Sequence, residues 1–193
     1  MIPAYITSAH LESAFHPYCY NIEPFLLHSS SNEHIVDSET LKISGFVTPA
    51  FGQIEDADLK FFEILNSRGK SFSLMQIDHA IINTTATNKC DCAIIDDTWL
   101  DLIEFKANAQ SNKPKTIRKN YKKAMKQLQK TLEIIESSLA ASGHTIRDKR
   151  TIEAFVSFRK GYPRTTSSEM AYRTTFATRT RGIPLFFDGK KTI

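Results

Sequence analysis

Apolar side chains recur at helical spacing between residues 114 and 140. Ile117, Tyr121, Ala124, Met125, Leu128, Leu132, Ile135 and Leu139 form one stripe. Pro114 suits a first helical turn and Gly143 stands just past the end, so the pattern predicts one long helix. Three apolar runs precede it, at 72–83, 90–95 and 100–107, and read as strands. The second and third are separated by Asp96, Asp97, Thr98 and Trp99, a short polar connection that predicts a hairpin. Runs at 152–158 and 184–187 read as further strands. A helix is expected over 55–67, where Ile54, Ala57, Phe61, Phe62, Ile64 and Leu65 share a broad face and Arg68-Gly69 supplies a stop. Residues 1–53 carry short apolar runs (22–27, 41–47) among Ser/Asn and Pro/Gly clusters, the pattern of loops and short strands.

Several charged residues interrupt these patterns. Asp58 falls in the middle of the apolar face of the 55–67 helix; it either pairs with a cation or sits in an exposed first turn favoured by the helix dipole. In the third strand Leu102, Glu104 and Lys106 share one face by alternation, with Ile103 and Phe105 on the other. Asp91 opens the neighbouring strand, and a tight hairpin brings that end beside Glu104 and Lys106. Two converging carboxylates make an oxygen-rich pocket suited to Mg²⁺, or Mn²⁺, and a lysine beside them can hold water or offset charge on a phosphate. Glu-x-Lys alone is common, and an ordinary strand salt bridge is the plain reading. The added Asp91, the turn and the flanking helices give the combination its weight.

Composition narrows the setting. The 193 residues are 41% hydrophobic and 24% charged, the balance of a globular chain. No apolar run is long enough to span a bilayer, so no membrane association is expected, and the first residues lack the pattern of a secretory leader, which implies a cytoplasmic location. Three cysteines (Cys19, Cys90, Cys92) imply reduced thiols, and the six histidines form no zinc-ligand spacing with them. The net charge of +4 is unevenly spread: residues 1–110 hold 6 Lys/Arg against 15 Asp/Glu, a balance of −9, and residues 111–193 carry +13. Such polarity suggests that the second half meets a polyanion, unless the halves neutralise each other across the fold.

With these residues in place, the chain resembles the PD-(D/E)XK nuclease superfamily over residues 55–158. The resemblance implies an α/β fold with a restriction endonuclease-like αβββαβ core, a mixed central sheet flanked by helices. Residues 1–54 would then be an N-terminal elaboration of one domain and 159–193 a C-terminal extension. It implies that Asp91, Glu104 and the Phe105 carbonyl bind the metal, that Lys106 serves as the catalytic lysine, and that Asp58 matches the acid many members carry on the first helix. Gln127 or Gln129 would match a glutamine that some members place on the next helix. Cys90 stands where the family name expects proline. Asp78, in Gln-Ile-Asp-His, is an alternative acid, but it lies 26 positions before Glu104 where Asp91 lies 13 before it. Many members dimerise to cut two strands, which leaves a homodimer open.

The helix at 114–140 presents Lys115, Arg118, Lys119, Lys122, Lys123, Lys126 and Lys130 away from its apolar stripe. Between Lys113 and Lys130 there are eight basic residues and no acidic one. Intrahelical ion pairs cannot be their purpose, whereas phosphate contact or plain solvation can. Further arginines (Arg147, Arg150, Arg173, Arg179, Arg181) lie among aromatic residues of the tail and can fork onto phosphates. The expected function is therefore metal-dependent hydrolysis of phosphodiester bonds, with DNA as the partner and an endonuclease favoured. The alternative is a nuclease-like domain without activity that binds nucleic acid or a protein.

Overall fold

The computed structural model describes residues 2–38, 41–47, 61–106, 113–148, 150–158, 162 and 166–193. The fold is mixed α/β. A six-stranded sheet is built from β1 (Leu26–Ser29), β5 (Phe72–Gln76), β6 (Cys92–Ile95), β7 (Trp99–Lys106), β8 (Thr151–Phe158) and β9 (Leu185–Phe186), in that spatial order. β1, β5, β6 and β7 pair antiparallel in succession, while β8 runs parallel to β7 and β9 parallel to β8. A four-stranded sheet joins β10 (Lys190–Thr192), β4 (Phe61–Leu65), β2 (Glu33–Ser38) and β3 (Ile43–Phe46) in that order, with β10 parallel to β4. Helices α1 (Ala4–Thr7), α2 (Leu11–Phe15), α3 (Pro114–Ala141) and α4 (Thr166–Arg179) and a short 3-10 turn over Glu23–Phe25 complete the elements among the described residues.

Alternation along the central strands sorts their side chains into two cores. Met75, Ala93, Ile95, Leu100, Leu102, Ala154 and Val156 face the helices and pack with Tyr121, Leu128, Leu132, Ile135 and Phe176. Phe72, Leu74, Cys92, Ile94, Trp99, Ile103 and Phe105 face the four-stranded sheet and pack with Ile35, Phe62 and Ile64. The six-stranded sheet is thus covered on both faces, which explains why its strands read as continuous apolar runs.

The 28-residue α3 follows the expected helix closely, and Gly143 takes the left-handed conformation (φ +74) that ends it. The expected hairpin is present as β6 and β7. Asp96 holds its turn by accepting hydrogen bonds from the Thr98 and Trp99 amides at 2.7 and 2.8 Å.

Two expectations need correction. The stretch expected to be helical over 55–67 contains a strand over Phe61–Leu65. Phe62 and Ile64 point into the second core and the backbone pairs with β2 and β10, so partners distant in sequence override the local helical pattern. Asp58 and the rest of 48–60 lie outside the described residues. The strand expected over 72–83 stops at Gln76. Beyond it the chain turns back, with Ile81 N–H donating to the Gln76 carbonyl at 3.1 Å and His79 at φ +59. Among the described residues no helix is long and apolar enough to cross a membrane.

Two basic side chains tie separate elements together. Arg150, only 6% exposed, donates from Nε to the Asp96 carbonyl at 2.9 Å and from Nη2 to the Tyr5 carbonyl, fastening α1 to the hairpin turn. Lys191 of β10 reaches Asp101 and Glu153, cross-strand neighbours on β7 and β8, and joins the two sheets.

Candidate active site

The β6–β7 ladder ends at the pair Cys92 and Ile103, so the next residues, Asp91 and Glu104, face each other just past the last rung. There the Phe105 N–H, which has lost its partner on β6, donates to Asp91 Oδ2 at 2.5 Å. β7 keeps its extended form through Lys106 because β8 continues to pair with it, Glu104 with Val156 and Lys106 with Phe158. Glu104 and Lys106 extend the row of β7 residues that faces α3.

Lys106 donates from its ammonium to Glu104 Oε1 and, at 2.9 Å, to Gln127 Oε1 on α3. The Gln127 amide in turn donates to the Lys89 carbonyl at 3.0 Å. Thr131, one turn further along α3, accepts the Cys90 N–H at 2.8 Å. Helix α3 therefore holds both the lysine and the backbone that delivers Asp91. The Asp91 carbonyl is fixed separately, by the Ile77 and Asp78 amides at 3.1 and 3.0 Å.

The site is buried and acidic. Glu104 is 1% exposed and Asp91 8%. Glu104 Oε2 is buried with no hydrogen-bond partner among the described residues. Burial pushes the Glu104 carboxyl up to about 7 against the pull of Lys106. Burial, then the Glu104 charge, pushes Asp91 well above the usual carboxylate range. Ionising both buried carboxylates beside one ammonium would leave a negative charge uncompensated, and an orphaned oxygen among them is the arrangement a cation relieves.

Asp91, Glu104 and the Phe105 backbone fit a hard divalent cation. No three His, Cys, Asp or Glu side chains among the described residues form a self-sufficient metal cage. Mg²⁺ does not require one, since it usually takes one or two carboxylates and completes its shell with water and substrate phosphate.

The remaining expected residues divide. Gln127 reaches the site, whereas Gln129 donates to Glu133 along the helix at 2.9 Å. Asp78 supplies its amide to Asp91, but its carboxylate turns to Lys89 at 3.0 Å. Lys115, Arg118, Lys119, Lys122, Lys123 and Lys126 are exposed on α3, and none has an ion-pair partner among the described residues; Lys130 pairs with Glu133 at 3.2 Å. Lys123 lies close enough to help lower the Glu104 pKa. Part of the tail's basic charge is structural. Arg147 and Arg181 both bind Glu136, and Arg150 is the buried tether.

Two participants are absent from the sequence expectations. Asp37 on β2 adds its negative field at both Asp91 and Glu104; it accepts a hydrogen bond from Ser44, which also bonds the Cys92 side chain. No motif announces it, because the second sheet brings it there. Lys89, 6% exposed, anchors the loop before Asp91, and in sequence it is one basic residue in a polar stretch. Burial pushes the Cys90 and Cys92 thiols well up, which makes them packing groups rather than nucleophiles. The chain matches no protein-family model, no curated protein and no solved structure.

Proposed function

We propose that this chain is a metal-dependent nuclease of the PD-(D/E)XK type that hydrolyses phosphodiester bonds in DNA. The observation that carries the reading is the orphaned, buried Glu104 Oε2 beside Asp91 and within reach of Lys106 at one strand end. Part of the element order supports it: three antiparallel strands, a long helix and a strand parallel to the third are the βββαβ portion of a restriction endonuclease-like core, although the described residues ahead of them carry strand β4 where that core would have its first helix. So does the basic face of α3, whose Lys115, Arg118, Lys119, Lys122, Lys123 and Lys126 have no ion-pair partner among the described residues and can contact a phosphate backbone.

In this reading Asp91, Glu104 and the Phe105 carbonyl hold Mg²⁺ or Mn²⁺. Such a cation supplies Lewis acidity toward the phosphate and lowers the pKa of bound water. Lys106 orients the attacking water through its ammonium, and Gln127 fixes that ammonium from α3. Asp91 and Glu104 stay fixed through the change in charge, one by the Phe105 amide and the other by Lys106, so little reorganisation is needed.

The test is cleavage of plasmid DNA with and without Mg²⁺ by the wild type, Asp91→Ala and Lys106→Ala. Metal-dependent cutting that falls by at least ~10²-fold in each variant is expected. Undiminished activity in both variants would remove Asp91 and Lys106 from the chemistry. Salt-sensitive DNA binding without metal-dependent cutting would favour the second reading, a nuclease-like binding domain, which the basic face of α3 supports equally well.

A further inference from the structure

The cations of α3 are not spread evenly with respect to the site. Lys115, Lys119, Lys123 and Gln127 occupy successive i, i+4 positions, so they form one ridge on the helix surface. The ridge ends on Gln127, which holds Lys106 at 2.9 Å. Its rungs rise about 6 Å each, the order of the step between consecutive phosphates of one nucleic-acid strand, and each turns about 40° toward the azimuth of Gln127. The ridge thus converges on the Asp91–Glu104 end of the sheet. Arg118, Lys122 and Lys126 lie on the neighbouring i, i+4 row, which runs to Lys130 and its partner Glu133 instead of to Gln127. All three ridge lysines are exposed, and none has an ion-pair partner among the described residues.

We infer that the ridge Lys115–Lys119–Lys123 is a phosphate track that grips three consecutive phosphates of one DNA strand on one side of the phosphate to be cut. The inference rests on the nuclease reading for the identity of the fourth position, but the track itself is a binding site and can be measured without cutting. It makes the α3 face a positioning device with a register, where a generally basic surface would have none. A lysine provides a point charge without directional readout, so the track selects for backbone charge and not for base sequence.

The experiment measures affinity of the full chain for single-stranded DNA oligonucleotides of two to eight nucleotides, in EDTA so that nothing is cut, over a range of salt. Affinity is expected to climb steeply up to four phosphates and shallowly beyond. Lys115→Ala, Lys119→Ala and Lys123→Ala are each expected to weaken binding about 3- to 10-fold and to lower the salt slope by about 1. Lys122→Ala and Lys126→Ala remove charge from the same basic face but from outside the row, so each should weaken binding less, and lower the salt slope less, than any of the three ridge variants. Equal losses across all five variants, or a length dependence with no break near four phosphates, would overturn the track. Cleavage measured in parallel with Mg²⁺ separates the two claims. Ridge-selective binding without cutting leaves the track standing and removes the nuclease; cutting with five equal contributions does the reverse.

Discussion

Glu104→Gln changes one buried charge and keeps the shape of the side chain, so its effect on stability can be worked from the site. In the metal-free protein Glu104 titrates at about 7 against an ordinary 4.5, because burial disfavours its charge more than Lys106 favours it. That gap corresponds to about 3 kcal/mol of folding stability. The folded protein holds this proton more tightly than the unfolded chain does. The contribution is therefore complete below pH 4.5 and lost as the pH rises through about 7. Glutamine stays neutral throughout, and its amide oxygen can still accept from Lys106. The variant should thus match the wild type near pH 4 and exceed it by up to about 3 kcal/mol at pH 8 without metal, an increase of roughly 2–4 °C in Tm per kcal/mol for a chain of this size. Thermal unfolding in EDTA at the two pH values measures this. Adding Mg²⁺ at pH 8 should then raise the wild type, by about 2.7 kcal/mol at a hundredfold excess over Kd, and leave the variant nearly unmoved. A variant less stable than the wild type at pH 8 in EDTA, or equal stabilisation of both by Mg²⁺, would refute the idea that Glu104 is a strained charge awaiting a cation.

Two further outcomes are expected. Thr131→Val preserves the volume of a fully buried side chain but leaves the Cys90 N–H without its acceptor; chemical denaturation should show a loss of about 1–3 kcal/mol, and on the proposed nuclease reading DNA cleavage should fall several-fold because Asp91 follows Cys90. Arg150→Ala removes the donors to the Asp96 and Tyr5 carbonyls together; a loss of about 2–4 kcal/mol is expected, with hydrogen exchange rising first at residues 4–8, and unchanged protection there would show that α1 is held by other contacts.

How much of the molecule can be read from its residues depends on how local each signal is. The β6–β7 hairpin and α3 are legible because their patterns repeat over enough positions to exclude the alternative period, and the strand parity of Glu104 and Lys106 follows directly. The segment Phe61–Leu65 misleads because a short run of Phe, Phe, Glu, Ile and Leu satisfies a helix or a strand equally well, and only its pairing with β2 and β10 decides. Helix α4 carries Thr174, Thr175 and Thr178, which bond back to carbonyls four residues earlier and have little intrinsic helix preference; the buried Phe176 and the packing of Tyr172 against Tyr121 hold it. At the site, the residues on one hairpin are visible in the sequence and those delivered by other elements are not. Asp37 and Lys89 acquire their meaning from contacts that no spacing in the chain encodes.

The parallel pairing of β10 with β4 joins residues 190–192 to residues 63–65. During synthesis, β4 must therefore wait with one backbone edge unsatisfied until residues 190–192 have emerged. An open edge next to the apolar Phe62 and Ile64 is a template for pairing with another nascent chain. Correct assembly of the second layer is thus a race between the arrival of β10 and self-association, and slower translation between β4 and β10 would lengthen the window of risk.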